Sequence, residues 1–116
     1  MRAQEPPMSA FTKVASLSDL TPGKSACVVF AGEKVALFNV RGTVYAIADS
    51  CTHRGGPLSE GSVDGTAVVC PWHGGRFELA TGRATGPPAV RAVKRFPVSV
   101  QGNDILLGAA AEEAAP

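Results

Sequence analysis

The chain has 116 residues, 45% of them hydrophobic and 18% charged, with a formal net charge of +1. That length supports one modest core, and the near balance of charge removes the field expected of a general nucleic-acid binder. The N-terminal stretch has no apolar signal-peptide region, no segment offers the ~18 apolar residues of a membrane span, and three cysteines do not make a disulfide framework, so the expectation is a cytoplasmic protein in a reducing compartment.

In chain order, residues 1–8 read as a flexible leader, with Met8 as a possible start in place of Met1, and 9–108 as one domain. Short β-favouring runs follow at Phe11–Ala15, Ser25–Phe30, Lys34–Val40 and Thr43–Asp49, with turn residues between them; regular short strands imply an all-β fold. Cys27 lies within the second run and reads as a small buried hydrophobe, with nothing charged beside it to activate the thiol. Val35, Leu37 and Asn39 alternate with Ala36, Phe38 and Val40, a mostly apolar strand expected to be covered on both faces. Arg41–Gly42 should turn it tightly into the next strand. From Ser50 to Arg76 glycine and proline are dense, and only Thr66–Val69, after an Asp64–Gly65 turn, reads as strand. Arg76–Leu79, a Thr81–Gly82 turn, Gly86–Pro87–Pro88, a long strand Val93–Val100 and Ile105–Leu107 complete the domain, and 109–116 read as a flexible tail. The strands before Cys51 and the last hairpin would form an antiparallel β-sandwich base, with a smaller subdomain at about 50–88 carrying two loops.

Those loops hold the chemistry. Cys51-Thr52-His53 and Cys70-Pro71-Trp72-His73 stand sixteen residues apart and offer two thiolates and two imidazoles. Such a set suits tetrahedral zinc and an iron–sulfur cluster alike. Structural zinc sites more often group Cys with Cys and His with His, whereas each loop here supplies one of each, so that two thiolates can take one iron and two imidazoles the other. Two ferric ions, two sulfides and two thiolates then sum to zero charge with neutral imidazoles, against minus two for four thiolates. An added electron is easier to accept, and it settles on the histidine side. Beyond these ligands the sequence contains no nucleophile–base pair, phosphate-binding glycine loop or second metal motif.

With Leu58-Ser59-Glu60-Gly61, Cys70-Pro71-Trp72-His73-Gly74, Arg76-Phe77, Thr81-Gly82 and Gly86-Pro87-Pro88 around them, the ligand pairs resemble the Rieske [2Fe-2S] signature, and residues 11–107 resemble the small ferredoxins of bacterial multicomponent aromatic-ring-hydroxylating dioxygenases. The resemblance implies a Rieske-type fold and one [2Fe-2S] cluster, with Cys51 and Cys70 on one iron and His53 and His73 on the other. It also implies a non-enzymatic electron carrier, a monomer that passes electrons from a flavoprotein ferredoxin reductase to a terminal non-haem iron oxygenase in aromatic hydrocarbon catabolism. Alternatives are a small Rieske subunit of a larger oxidoreductase such as a nitrite-reductase-like complex, a detached oxygenase Rieske domain, or a structural zinc module.

Respiratory members of the family carry a disulfide between the two loops, and this chain has Gly56 and Trp72 at those positions. They also place hydroxyls after the second loop, where Gly75 and Phe77 stand. Fewer donors stabilise the reduced cluster less, so the potential is expected toward the low end of the roughly −150 to +300 mV Rieske range. Around the ligands, Arg54, Gly55, Gly56, Gly74 and Gly75 form the loops, with the glycines able to turn backbone N–H groups toward sulfide. Trp72 is expected to pack against the cluster, and Pro87 and Pro88 to cover it. Pro57, Leu58 and Pro71 are candidates for an apolar docking rim, while Arg54, Arg76, Arg83, Glu60, Asp64 and Glu78 read as solvated surface charge.

Overall fold

The computed structural model describes residues 11–50, 56–72, 74–86 and 91–109. The expectations for the leader at 1–8, the tail from 110 onward, Cys51, His53, Arg54, Gly55, His73, Pro87 and Pro88 lie outside them.

Among the described residues ten antiparallel strands form three sheets. The central one joins β2 (Ser25–Phe30), β3 (Glu33–Val40) and β4 (Thr43–Ala48). β3 is the middle strand, and residues 35–39 are all buried, as its apolar run on both pleat faces requires. Ala36 and Phe38, paired with Ile47 and Tyr45, point to one side; Val35 and Leu37, paired with Ala48 and Ala46, point to the other. Arg41 (φ 54°) and Gly42 (φ 97°) make the two-residue turn between β3 and β4, both in the left-handed region that a hairpin of this hand needs. Asn39 braces that turn from the core: its Oδ1 accepts from the Gly42 N–H at 2.8 Å while its Nδ2 donates to the Leu20 carbonyl at 2.7 Å.

One core lies between this sheet and the sheet of β1 (Thr12–Ser16), β10 (Asp104–Leu107) and β9 (Val98–Gln101), where Val35, Leu37, Val44 and Ala46 meet Ile105, Leu107, Leu20 and Phe96. Phe96 also stands edge-on to Phe30, with ring centroids 5.9 Å apart. The second core lies on the opposite face, where Ala36, Phe38 and Ile47 meet Leu58, Val68, Cys70, Phe77 and Leu79. These come from the third sheet, β5 (Ser62–Asp64), β6 (Ala67–Val69), β7 (Arg76–Glu78) and β8 (Ala84–Gly86), and from a 3-10 turn at Leu58–Glu60. A further 3-10 turn, Leu17–Asp19, follows β1.

Three sequence expectations need correction. The long strand at 93–100 is not continuous: residues 93–96 run along β4, with the Ala48 N–H bonded to the Lys94 carbonyl and the Phe96 N–H to the Ala46 carbonyl, and strand proper begins only at Val98. Pro97, which has no N–H, marks the change of partner. The strands β5 and β8 have no apolar pattern; β5 is exposed throughout and forms because the Asp64–Gly65 turn delivers it to β6. Cys27 is exposed rather than buried, and a charged group does stand beside it. Partial burial of the thiol, its hydrogen bond to Asp49 and the negative charges of Asp49 and Glu60 outweigh Lys34 and push its pKa up. The expectation of an unactivated thiol therefore holds for a different reason.

Among the described residues no helix is long and apolar enough to cross a membrane, and no buried polar side-chain atom lacks a hydrogen-bond partner.

Candidate metal centre

Cys70 follows directly on β6, whose pairing with β5 and β7 fixes where the second loop leaves the sheet. The loop closes on itself: the Cys70 N–H donates to the Gly75 carbonyl at 2.7 Å, and the Gly74 N–H donates to the Cys70 carbonyl at 3.1 Å. Gly74, at φ 80°, supplies the left-handed residue this closure needs. Its N–H thereby serves the turn by donating to the Cys70 carbonyl. Among the described cysteines the Cys70 thiol is unpaired, and the residue is only 3% exposed, at the edge of the second core.

The two loops meet at Gly56. A Cβ built on Gly56 would fall 2.8 Å from the Cys70 Sγ and 3.0 Å from the Trp72 Cδ2. Such separations are well inside van der Waals contact. Gly56, just after the first loop, therefore lies against the second loop with no room for a side chain, close to both the sulfur and the indole. Positions 56 and 72, which the sequence compares with a disulfide pair, do face one another; here glycine and an aromatic plane fill the place of the covalent link.

Leu58 is completely buried, packed with Val68, Cys70 and Phe77 beneath the loops. This overturns its assignment to an exposed docking rim: an apolar residue one position into a 3-10 turn turns inward when a sheet lies beneath it. Pro57 is half-buried, while Pro71 and Trp72 are exposed. Trp72, expected to pack inward, is 55% exposed and projects from the closed tip of the second loop. The turn from Cys70 to Gly74 is too short to bring both residue 70 and residue 72 back into the core.

Phe77 is completely buried on β7, so position 77 is a core position and offers no hydroxyl to the loop. Arg76 pairs with Asp64, and Glu78 accepts from the Thr66 hydroxyl at 2.8 Å, contacts that join β5 and the turn after it to β7. Arg83 and Glu60 are exposed. A groove of about 540 Å³ lined by Lys24, Arg41 and Val63 does not include Cys70.

Sequence reading did not single out Asp49 and Ser59. Asp49, 8% exposed, accepts the Ser59 N–H at 2.6 Å on Oδ1 and the Ser59 hydroxyl at 2.9 Å on Oδ2. The partners lie on opposite sides of the first ligand pair, and no local periodicity links them. The only available signal was a short acidic residue two positions before Cys51 and a serine within the turn Leu58–Glu60 after the loop.

The described part of the centre fits a metal cluster bound through thiolate: a buried sulfur, free among the described cysteines, on a self-closed loop, with the Gly56 backbone packed closely against it. A model of the Rieske [2Fe-2S] domain matches residues 10–97. The chain is 40% identical over 98 residues to the biphenyl dioxygenase ferredoxin subunit of Pseudomonas sp. (strain KKS102), covering 84% of this chain and 90% of that one. It is 33% identical to the ferredoxin of carbazole 1,9a-dioxygenase from Nocardioides aromaticivorans IC177, with a TM-score of 0.82 and coverage of 85% of this chain and 97% of that one. A chain in the complex of reduced oxygenase and oxidized ferredoxin in carbazole 1,9a-dioxygenase is 34% identical, with a TM-score of 0.83 and coverage of 90% and 98% respectively. The family model spans most of the chain, and the chain belongs to the Rieske [2Fe-2S] domain family.

Proposed function

We propose that this protein is the ferredoxin component of an aromatic-ring dioxygenase system, a monomeric cytoplasmic one-electron carrier between a flavoprotein ferredoxin reductase and a terminal non-haem iron oxygenase. The observation that carries the reading is likeness over nearly the full length of both chains to ferredoxin subunits of such systems. Cys51 and Cys70 would hold one iron and His53 and His73 the other, within a cluster-binding subdomain at about 50–88 of a domain spanning 9–108. A bound [2Fe-2S] cluster supplies reversible one-electron chemistry without bond making.

The chain's own residues contribute position, dryness and an edge. Cys70 is held by the second core, with Leu58 and Phe77 excluding water from beneath the loop. The chain places no hydroxyl at 75 or 77, so the reduced state receives no donor from those side chains and the potential stays low. Pro71 and Trp72, exposed at the loop tip, give the apolar docking edge, with Pro57 at its margin. Arg54, Gly55 and Gly75 would complete the loops, and Pro87 and Pro88 would cover the cluster.

An EPR spectrum of the dithionite-reduced protein, with iron and acid-labile sulfide analysis, tests the assignment; zinc in place of iron and no signal would sink it. A midpoint near the top of the Rieske range would instead contradict the low-potential carrier. Trp72→Ala tests docking: loss of a central aromatic anchor costs about 2 kcal/mol or more, roughly thirtyfold in Kd for the oxygenase, with the midpoint unchanged. Because the chain has one Trp, quenching of its fluorescence on mixing with the oxygenase reports the same contact directly. Wild-type transfer rates in the variant would remove Trp72 from the interface.

A further inference from the structure

The segment that carries Cys51 and His53 leaves the central sheet after β4 and returns at the 3-10 turn Leu58–Glu60. Its two ends are tied to each other and to that sheet. On one side the Asp49 N–H donates to the Lys34 carbonyl on β3 at 3.0 Å. On the other, the Ser59 carbonyl accepts from the Ser25 hydroxyl on β2 at 2.9 Å, and Leu58 beside it is completely buried. Across the gap the Asp49 carboxylate takes both the N–H and the hydroxyl of Ser59, at 2.6 and 2.9 Å. Both carboxylate oxygens of Asp49 are thus taken up by Ser59. Two charge-assisted hydrogen bonds from one residue fix direction as well as distance.

We propose that Asp49 and Ser59 form a clamp that positions the first ligand loop and sets part of the negative potential felt by its ligands. The proposal rests on the Rieske reading above. Asp49 acts through Cys51 and His53 as a positioning residue. Bridging the base of the loop restricts the ends of a segment whose middle must present two ligands in fixed geometry, which otherwise costs closure entropy each time the centre assembles. A carboxylate two residues before Cys51 also opposes the arrival of an electron, which adds to the low potential expected from positions 75 and 77.

The test uses the cluster-loaded full chain and three variants, Asp49→Ala, Asp49→Asn and Ser59→Ala. The measurements are bleaching of visible absorbance in excess chelator, the EPR line shape after dithionite, and the midpoint potential. Asp49→Ala should bleach about tenfold faster or more, the scale of losing a charge-assisted hydrogen bond, and should broaden the EPR lines. Asp49→Asn keeps an acceptor for the Ser59 N–H, so it should bleach at close to the wild-type rate while its midpoint moves to more positive potential. Ser59→Ala, which retains the backbone bond alone, should bleach at an intermediate rate with its midpoint little changed.

Wild-type bleaching, line shape and potential in an iron-loaded Asp49→Ala chain would overturn the clamp. If Asp49→Ala does not fold, wild-type bleaching in Ser59→Ala together with an unshifted midpoint in Asp49→Asn overturns it equally. A wild-type chain that takes up no iron and sulfide removes the Rieske reading itself, a failure visible before any variant is made.

Discussion

Replacing Gly56 by alanine puts one methyl group where the two ligand loops touch. Its Cβ would lie 2.8 Å from the Cys70 Sγ and 3.0 and 3.1 Å from the Trp72 Cδ2 and Cγ, about 0.4 to 0.7 Å or more inside the ~3.5–4.0 Å at which carbon atoms pack. The two clashes differ in how they relax. Trp72 is 55% exposed and its ring can swing toward solvent. Cys70 is 3% exposed, its N–H is bonded to the Gly75 carbonyl, and Leu58, Val68 and Phe77 share its core. The sulfur contact must therefore be relieved by moving backbone, an overpacking cost of about 1–3 kcal/mol, where one or two kcal/mol is already ~5–30-fold in the folded-to-unfolded ratio. Urea unfolding of the loaded protein, followed by circular dichroism and by visible absorbance, measures it for Gly56→Ala, Trp72→Ala and the double variant. Most of the loss should remain in the double variant, because removing the indole leaves the sulfur contact in place, and the visible bands should shift in both chains carrying alanine at 56. A double variant restored to the stability of Trp72→Ala alone would assign the clash to the ring. A Gly56→Ala chain within about 0.5 kcal/mol of wild type with an unaltered spectrum would refute the close approach, since that is the range of an ordinary surface change.

Leu58→Ala should cost about 2–5 kcal/mol of unfolding free energy, as for a fully buried leucine, while Leu58→Met should cost less than about 1.5; a docking residue would instead leave the urea midpoint unmoved and slow only electron transfer. Cys27 should react slowly with iodoacetamide in the loaded protein, because its pKa is raised above the ordinary 9.0, and the rate should still be climbing beyond pH 9; a plateau reached by pH 8.5 on the ~8–9 scale of free thiols contradicts this. The same shift fixes the sign of its contribution to stability. The protonated thiol is favoured by the fold, so its contribution is complete below the ordinary value of 9.0 and is lost as pH rises through the folded value. Asp49→Asn removes one of the two carboxylates that raise this pKa and should speed the alkylation at pH 8, which the labelling time course reads directly.

Much of the fold is legible locally. β2, β3, β4 and the closing hairpin are announced by alternation, by apolar runs and by turn residues such as Arg41–Gly42, because each of these signals concerns neighbours in the chain. β5 and β8 are not, since short exposed strands form only when a turn delivers them to an edge already in place. The break at Pro97 was available as a missing donor, but which strand residues 93–96 would leave, and which β9 would join, depended on where β4 and β10 came to lie.

The candidate centre divides in the same way. Ligand identity is a matter of residue type and spacing, so two Cys and two His in alternating order, with the loop residues around them, already pointed to a Rieske centre from the sequence alone. Exposure is a matter of what lies across from a residue. Leu58 looked like a docking residue and is core because the third sheet passes beneath it; Trp72 looked like packing and is exposed because the closed loop at Cys70–Gly75 can send only one of its side chains inward. Cys27 gained a carboxylate neighbour from β4's end, and Asp49 gained Ser59 from the far side of the ligand loop. The sequence by itself determined the class of centre and the strands that carry it, because both follow from chemistry and period along the chain. Only the tertiary structure decided which residues face solvent, where Gly56 has no room for a side chain, and what clamps the first loop, because those depend on contacts between residues far apart in the chain.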